Sequence, residues 1–152
     1  MWFLWILALL TVVYYWLIFQ LKKGWSQLPN FRPTPSQGPF PIVTILVPAR
    51  NEEENIGNLL KAIGQQQYPA EKMEVVVIND HSTDRTAMIA RSFPFVKLIE
   101  LQEDSINAYK KRAIEKGIEA ASGSLIVCTD ADCIPGATWI STLVNYYQEH
   151  SC

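Results

Sequence analysis

The sequence predicts an α/β fold in which a mostly parallel sheet with flanking helices is preceded by one transmembrane helix. Two observations lead to this prediction. Residues 1–21 contain no charged side chain, and about 20 apolar residues are enough to cross a bilayer as a helix. Further along, short apolar runs rich in β-branched residues alternate with segments whose apolar residues recur at helical spacing. That alternation is typical of parallel sheets with helical crossovers.

The composition argues against several other classes of protein. Of the 152 residues, 49% are hydrophobic and 18% are charged, which is typical of a folded chain. The net charge of −2 supplies no basic field, so we expect no nucleic-acid partner. The three cysteines, Cys128, Cys133 and Cys152, form no paired framework, which disfavours a disulfide-stapled domain and a zinc site.

Residues 1–21 are interpreted as a membrane anchor. Lys22 and Lys23 follow directly, so the positive-inside rule predicts a cytoplasmic globular part. The alternatives are a cleaved signal peptide and a buried core helix. A signal peptide would need basic residues before the apolar run and a small-residue cleavage site after it. Residues 22–41 contain five prolines and are predicted to form an extended juxtamembrane linker.

The first strand and helix of the globular part, residues 42–152, follow from local sequence. Residues 42–47 form a continuous β-branched run typical of a strand buried on both faces, and Pro48 is predicted to end it. Asn51 is then predicted to cap a helix, with Glu54 completing a capping box. The apolar face of that helix consists of Ile56, Leu59, Leu60 and Ile63.

The later elements are predicted by the same reasoning. Strands are expected over 74–78, 95–101 and 124–129. A helix opened by Ser82, Thr83 and Asp84 is expected to run to about Arg91. Another helix is expected from about Ile106 until Gly123 ends it, with an apolar face of Ile114, Gly117, Ile118 and Ala121. A last helix carries Ile140, Leu143, Val144 and Tyr147 on its apolar face.

Unusual polar residues follow the predicted strands. Ligands of parallel α/β sheets bind at the carboxyl ends of the strands, which selects residues 49–52, 79–82 and 130–133. Asp130 and Asp132 repel each other unless a cation lies between them or water separates them. Carboxylate oxygens favour Mg²⁺ or Mn²⁺. The alternative for this D-x-D pair is a solvated turn.

Three further polar residues, two at strand ends and one at a helix start, leave two interpretations each. Asp80 is suited either to accept a hydrogen bond from a base N–H or to cap the next helix. Arg50 is suited to contact a base or phosphate, or to pair with Glu52 or Glu53. Lys110 is suited to a phosphate contact or to a solvated helix face. The sequence contains neither G-x-G-x-x-G nor G-x-x-x-x-G-K-[ST], which disfavours dinucleotide and ATPase sites.

Three stretches, in this order and spacing, resemble the family 2 glycosyltransferases: VTILVPARNEEENI, VVVINDHSTDRT and KKRAIEKGIEAASGSLIVCTDADC. The resemblance covers about residues 41–150. It implies the GT-A (Rossmann-like) fold, incomplete at the C-terminus, with residues 42–152 as the N-terminal nucleotide-sugar-binding half. The family's general base and its Q-x-x-R-W motif would lie beyond Cys152, so no catalytic residue is expected in this chain.

The resemblance also implies roles for individual residues. Asp132 and Asp130 would hold the metal, Mg²⁺ or Mn²⁺. Two departures stand out: Asn79 replaces the first of two aspartates, and Tyr109 replaces the glycine before Lys110. The residues implied to bind the nucleotide sugar are Ala49, Arg50, Asn51, Glu52, Asp80, Lys110 and Asp130.

The expected function is that of a membrane-anchored inverting glycosyltransferase, truncated here and inactive as this chain alone. Its donor would be UDP- or GDP-linked, and its acceptor a lipid or an envelope polysaccharide. One alternative is a nucleotide-sugar-binding or interaction module without turnover. Another is a receiver-like signalling domain, which would need an acidic pair after the first strand, where this chain has Ala49, Arg50 and Asn51.

Overall fold

A computed structural model describes residues 1–28, 39–101 and 109–150, without the side chains of residues 109 and 110. The chain divides into two units, 1–32 and 33–152. In the first unit, helix α1 (Trp2–Ser26) buries none of its residues and is long and apolar enough to cross a membrane. The helix continues past Leu21 through residues that the sequence pattern assigns to the linker.

The second unit is built on a four-stranded parallel sheet in the order β3-β2-β1-β4. Strand β1 lies between β2 and β4, with Val43 opposite both Met73 and Leu125. The predicted α/β class with a parallel sheet and flanking helices is confirmed. The strands are β1 (Val43–Ala49), β2 (Met73–Asn79), β3 (Val96–Glu100) and β4 (Leu125–Cys128).

Helices cover both faces of this sheet. They are α2 (Ile56–Gly64), α3 (Thr86–Arg91), α4 (Tyr109–Ala120) and α5 (Trp139–His150). The larger core cluster joins alternate residues of β1 and β2 to apolar residues of α2, α3 and α5. The smaller cluster, on the other face, consists of Leu46, Val76, Ile78 and Ala113 of α4. Two-sided burial explains the continuous apolar runs at residues 45–49 of β1 and 75–78 of β2.

The prediction that Pro48 ends the first strand is wrong, because β1 continues to Ala49. The strand tolerates proline here because this position requires no amide donor. The backbone of Leu46 faces β4, since its carbonyl accepts from Thr129 N at 3.0 Å. Pro48 is two residues on and therefore faces the same side. Pairing with β4 ends at Leu46 opposite Cys128, so the missing N–H of Pro48 costs no ladder bond.

The predicted starts of the next two helices are wrong. Helix α2 begins at Ile56, and Asn51 lies in a turn with a left-handed φ of 54° instead of capping it. Helix α3 begins only at Thr86, whose backbone N–H donates to Asp84 Oδ1 at 2.9 Å. The N-cap is Arg85, and Asp84, one residue before it, accepts from the first amide of the helix.

Helix α4 buries a face that is shifted from the one predicted: Gly117 is buried as predicted, but its buried neighbour is Ala113. Ala113 and Gly117 lie against the sheet, whereas Ile118 is 50% exposed. A Cβ on Gly117 would lie 2.9 Å from Ile78 Cδ1, so glycine permits this close approach. Gly123 does not end the helix. It packs against the start of β1, where a Cβ would lie 2.6 Å from Thr44 N.

Helix α5 is confirmed, with a shift in its buried face. Ile140 and Val144 are buried as predicted, and Asn145 is buried beside them. Leu143 and Tyr147 are exposed. The backbone N–H of Ile140 donates to Gln66 Oε1 at 3.1 Å, which fixes the start of α5 near the end of α2.

Candidate functional site

A cavity of about 350 Å³ opens at the carboxyl ends of β1, β2 and β4. The register explains why three distant segments meet there. Ala49 lies opposite Asn79 on one side of β1, and Leu46 lies opposite Cys128 on the other. The residues that follow these strand ends therefore share one edge of the sheet. The cavity is lined by Pro48, Ala49, Arg50, Glu52, Asp80, Ala113, Asp130, Ala131 and Asp132.

Most residues expected at the site line this cavity. Asn51 is outside the lining set, because its side chain accepts a hydrogen bond from Thr83 N at 2.9 Å. Lys110 has its backbone in α4, but its side chain lies outside the described part of the chain. The expected residues that line the cavity are Ala49, Arg50, Glu52, Asp80, Asp130 and Asp132.

Asp80 is the most buried carboxylate of the cavity, at 5% exposure. Its backbone N–H donates to Ala49 O at 2.9 Å, which ties it to the end of β1. Its Oδ1 lies 2.8 Å from Nδ1 of His81. An ionised carboxylate only accepts hydrogen bonds, so the imidazole Nδ1–H is the donor in this pair.

Asp130 and Asp132 are exposed on either side of the buried Ala131. The turn is closed by Cys133 N, which donates to Asp130 O at 3.3 Å. Among the described residues, no group of three or more His, Cys, Asp or Glu side chains is placed to hold a metal ion. Two carboxylates fit Mg²⁺ or Mn²⁺ that takes its remaining ligands from water and phosphate oxygens.

A set of hydrogen bonds, the loop clasp, joins residues 51–53 after β1 to residues 82–86 after β2. The backbone N–H of Glu52 donates to Oγ1 of the buried Thr86 at 2.8 Å. The N–H of Glu53 donates to Asp84 Oδ2 at 3.1 Å, and that of Asn51 donates to Ser82 Oγ at 3.0 Å. The loop clasp fixes the segment that carries Arg50 and Glu52 into the cavity.

Two carboxylates of the loop clasp are ionised at neutral pH. Backbone and side-chain hydrogen bonds from Arg85 lower the pKa of Glu53. Desolvation acts to raise the pKa of Asp84, but hydrogen bonds from Thr86 and from the Glu53 amide outweigh it, and the net shift is downward. Both side chains therefore serve as charged acceptors for backbone donors.

Three residues outside the predicted site also shape it: His81, Asp84 and Thr86. The motif S-T-D-R-T indicated that the side chains of Asp84 and Thr86 are able to bond backbone amides. It did not reveal that Thr86 accepts from Glu52, 34 residues away in sequence. No local pattern placed His81 on the cavity's carboxylate.

Comparison with known proteins points to one family. Residues 44–152 match the model of "Glycosyl transferase family 2". "Glycosyltransferase AglE" of Haloferax volcanii is 37% identical over 109 residues, covering 70% of this chain and 35% of that protein. The "4,4'-diaponeurosporenoate glycosyltransferase" of Staphylococcus aureus is 39% identical over 109 residues, covering 70% of this chain and 28% of that protein. The chain thus spans about a third of the length of these curated relatives.

Solved structures show the same likeness. A mannosyltransferase of Pyrobaculum calidifontis in complex with GDP-Man and Mn²⁺ has a TM-score of 0.69 and 32% identity, covering 90% of this chain and 39% of that one. TarS 1-349 of S. aureus in complex with UDP has a TM-score of 0.64 and 26% identity, covering 71% of this chain and 32% of that one. These likenesses confirm the predicted GT-A fold.

Proposed function

The chain belongs to glycosyl transferase family 2, and from that membership we propose that residues 42–152 bind the nucleotide-sugar donor of a glycosyltransferase. One observation carries the proposal. The cavity at the strand ends brings Asp80, Asp130 and Asp132 together with Arg50. Such a site offers acceptors for a base, a cation for phosphate and ligands for a divalent metal.

The donor's nucleotide is assigned to the β1 and β2 side of the cavity. Asp80 accepts a base N–H, because it is a buried carboxylate at the cavity wall. Ala49, Arg50 and Glu52 complete the base contact, and Asn51 supports them through the loop clasp. Lys110 is assigned to the phosphates. Two similar structures contain GDP-Man and UDP respectively, so both nucleotides are candidates for this chain.

The metal is assigned to the D-x-D carboxylates. Asp132 ligates Mg²⁺ or Mn²⁺, and Asp130 contacts the metal or the ribose. A bound divalent cation stabilises negative charge that builds on a departing diphosphate. The two aspartates would hold that cation at the edge of the cavity, while the buried Ala131 lies in the turn between them. The similar mannosyltransferase structure contains Mn²⁺, which supports the same metal here.

The proposed reaction is inverting transfer of the sugar to an acceptor hydroxyl. In it, a carboxylate removes the hydroxyl proton while that oxygen attacks the anomeric carbon. The family resemblance puts this base after the region matched here, so we assign it to no residue of this chain and expect no transfer by this chain alone. A lipid or envelope-polysaccharide acceptor is favoured by α1 and by the relative named for 4,4'-diaponeurosporenoate.

We also propose that α1 anchors the protein with its globular unit in the cytoplasm, where nucleotide sugars occur. The apolar length of α1 and the lysines at positions 22 and 23 support this orientation. The exposed thiols of Cys128 and Cys133 provide the test. A membrane-impermeant maleimide is expected to label them in inside-out vesicles and to leave them unlabelled in intact cells. Labelling in intact cells would refute the orientation.

A binding module without turnover is the second candidate. The lining of the cavity favours it, because the three aspartates there are all assigned to the donor or the metal. None of these three then remains to act as the base that removes the acceptor's proton. Binding without transfer by the full-length gene product would establish it, whereas transfer would exclude it.

Calorimetric titration of the detergent-solubilised chain tests donor binding. UDP and GDP are each titrated with and without Mn²⁺, and Asp132→Ala is compared with Glu71→Ala. Glu71 is an exposed acid in the turn before β2, so its removal changes net charge equally without touching the cavity. We expect Mn²⁺-dependent binding that only Asp132→Ala abolishes. A folded chain that binds neither nucleotide would refute the proposal.

A further inference from the structure

We propose that His81 is a positioning residue that fixes the Asp80 carboxylate for recognition of the donor base. The inference rests on the proposed function, because it concerns the same cavity. His81 does not line the cavity, whereas Asp80 does. The imidazole therefore acts on a nucleotide through the carboxylate that it holds.

The hydrogen bond between the two side chains defines the carboxylate's orientation. Nδ1 of His81 donates to Oδ1 of Asp80 at 2.8 Å, with the imidazole 27% and the carboxylate 7% exposed. No other donor among the described residues bonds the Asp80 carboxylate. The imidazole thus bonds Oδ1, and Oδ2 is the oxygen that we expect to accept from a base N–H.

The backbone at His81 is the second, independent observation. Its φ of 54° lies in the left-handed region, which glycine adopts without steric cost and a side chain with a Cβ does not. The turn after β2 therefore needs no imidazole for its own geometry. The hydrogen bond to Asp80 is a role that glycine at this position would not fill.

Preorganisation explains how the pair would raise affinity. A carboxylate that rotates freely loses rotational freedom when it binds a base, and that loss weakens binding. His81 removes this freedom before the nucleotide arrives. The effect is confined to ligands that have a base, because the diphosphate and metal are assigned to Asp130 and Asp132, which follow β4.

Three substitutions separate positioning from folding. His81→Gly removes the donor and relieves the left-handed backbone. His81→Ala removes the donor and keeps the unfavourable backbone. His81→Asn tolerates the left-handed region and retains a side-chain N–H donor. The full chain is titrated with UDP, GDP and inorganic pyrophosphate, each with Mn²⁺, and thermal unfolding is recorded for every variant.

We expect nucleotide affinity to depend on the side-chain N–H at position 81. The unfolding temperature should depend on how well the residue there tolerates the left-handed backbone. His81→Gly and His81→Ala are expected to raise the Kd of the nucleotide about tenfold, while His81→Asn stays near wild type. Pyrophosphate affinity is expected to be unchanged in all three. His81→Gly is expected to unfold at a higher temperature than His81→Ala.

Other outcomes would overturn either the role of His81 or the donor site itself, and the measurements tell these two failures apart. Nucleotide affinity that falls in His81→Ala but is retained in His81→Gly would show a purely structural role for His81. Equal loss of nucleotide and pyrophosphate affinity would also reject positioning of Asp80. Wild-type protein that is folded but binds neither nucleotide would refute the donor site itself. Binding lost in Asp132→Ala but kept in His81→Gly would leave the donor site intact and reject the role of His81.

Discussion

Replacing Thr86 by valine tests whether the loop clasp holds the cavity segment. Thr86 is fully buried, and its Oγ1 accepts from the Glu52 amide at 2.8 Å while donating to Asp84 Oδ1. Valine keeps the shape but removes the hydroxyl, so the Glu52 N–H loses its acceptor. An unmet, partly buried amide costs about 2 kcal/mol. With a urea dependence of about 2 kcal/mol per molar, the midpoint of unfolding falls by about 1 M.

Hydrogen exchange provides a local readout of the same change. A loss of about 2 kcal/mol in local opening accelerates exchange of the Glu52 amide about 30-fold. Thr86→Ser is the matched control, because it keeps the hydroxyl and removes one buried methyl, at about 1 kcal/mol. The serine variant is expected to retain slow exchange at Glu52. Slow exchange in Thr86→Val, or a urea midpoint above that of Thr86→Ser, would show that the Thr86 hydroxyl does not hold the Glu52 amide.

Two further predictions concern the amino end of the sheet. Desolvation acts to raise the pKa of Glu74, but hydrogen bonds from Thr44 and Ser122 outweigh it and lower the pKa below its ordinary 4.5. The stabilisation is therefore complete above about pH 4.5 and lost as the pH falls through the lower, folded value. The urea midpoint of Glu74→Gln is expected to lie below wild type at pH 7 and to converge with it in acid; a constant gap would contradict this. Gly123→Ala places a Cβ 2.6 Å from Thr44 N and is expected to destabilise by about 2 kcal/mol, whereas Gly136→Ala, which meets nothing within 4 Å, is not. Equal midpoints for the two alanine variants would contradict the close approach.

The strands and the ligand-binding edge were predictable because their signals are local. A strand buried on both faces is largely apolar, and such runs located β1 and β2 from the sequence. The two edge strands, β3 and β4, are shorter and only partly buried, yet their β-branched and apolar residues were also sufficient to place them. The polar residues that follow these strands then meet wherever parallel strands end together. That rule alone was enough to predict that Asp80, Asp130 and Asp132 lie at one edge of the sheet.

The errors arose where a long-range partner decides local structure. Asn51 has the chemistry of a helix cap, yet its side chain bonds Thr83, 32 residues away. Ile118 has helical spacing from Ile114, but α4 turns Ala113 and Gly117 toward the sheet because only small residues fit against Leu46 and Ile78. The spacing of apolar residues along a helix does not reveal which residues of the sheet the helix will contact.

The location of the bound metal distinguishes a donor site at the strand ends from any other mode of binding. Crystals of the chain grown with UDP or GDP and Mn²⁺ would be measured at the manganese absorption edge. We expect an anomalous difference peak beside Asp132, at the edge of the cavity that Asp80 and Asp130 also line. The diphosphate should lie next to the metal and the base next to Asp80. A manganese peak remote from Asp132, or a nucleotide bound outside this cavity, would rule out the proposed donor site.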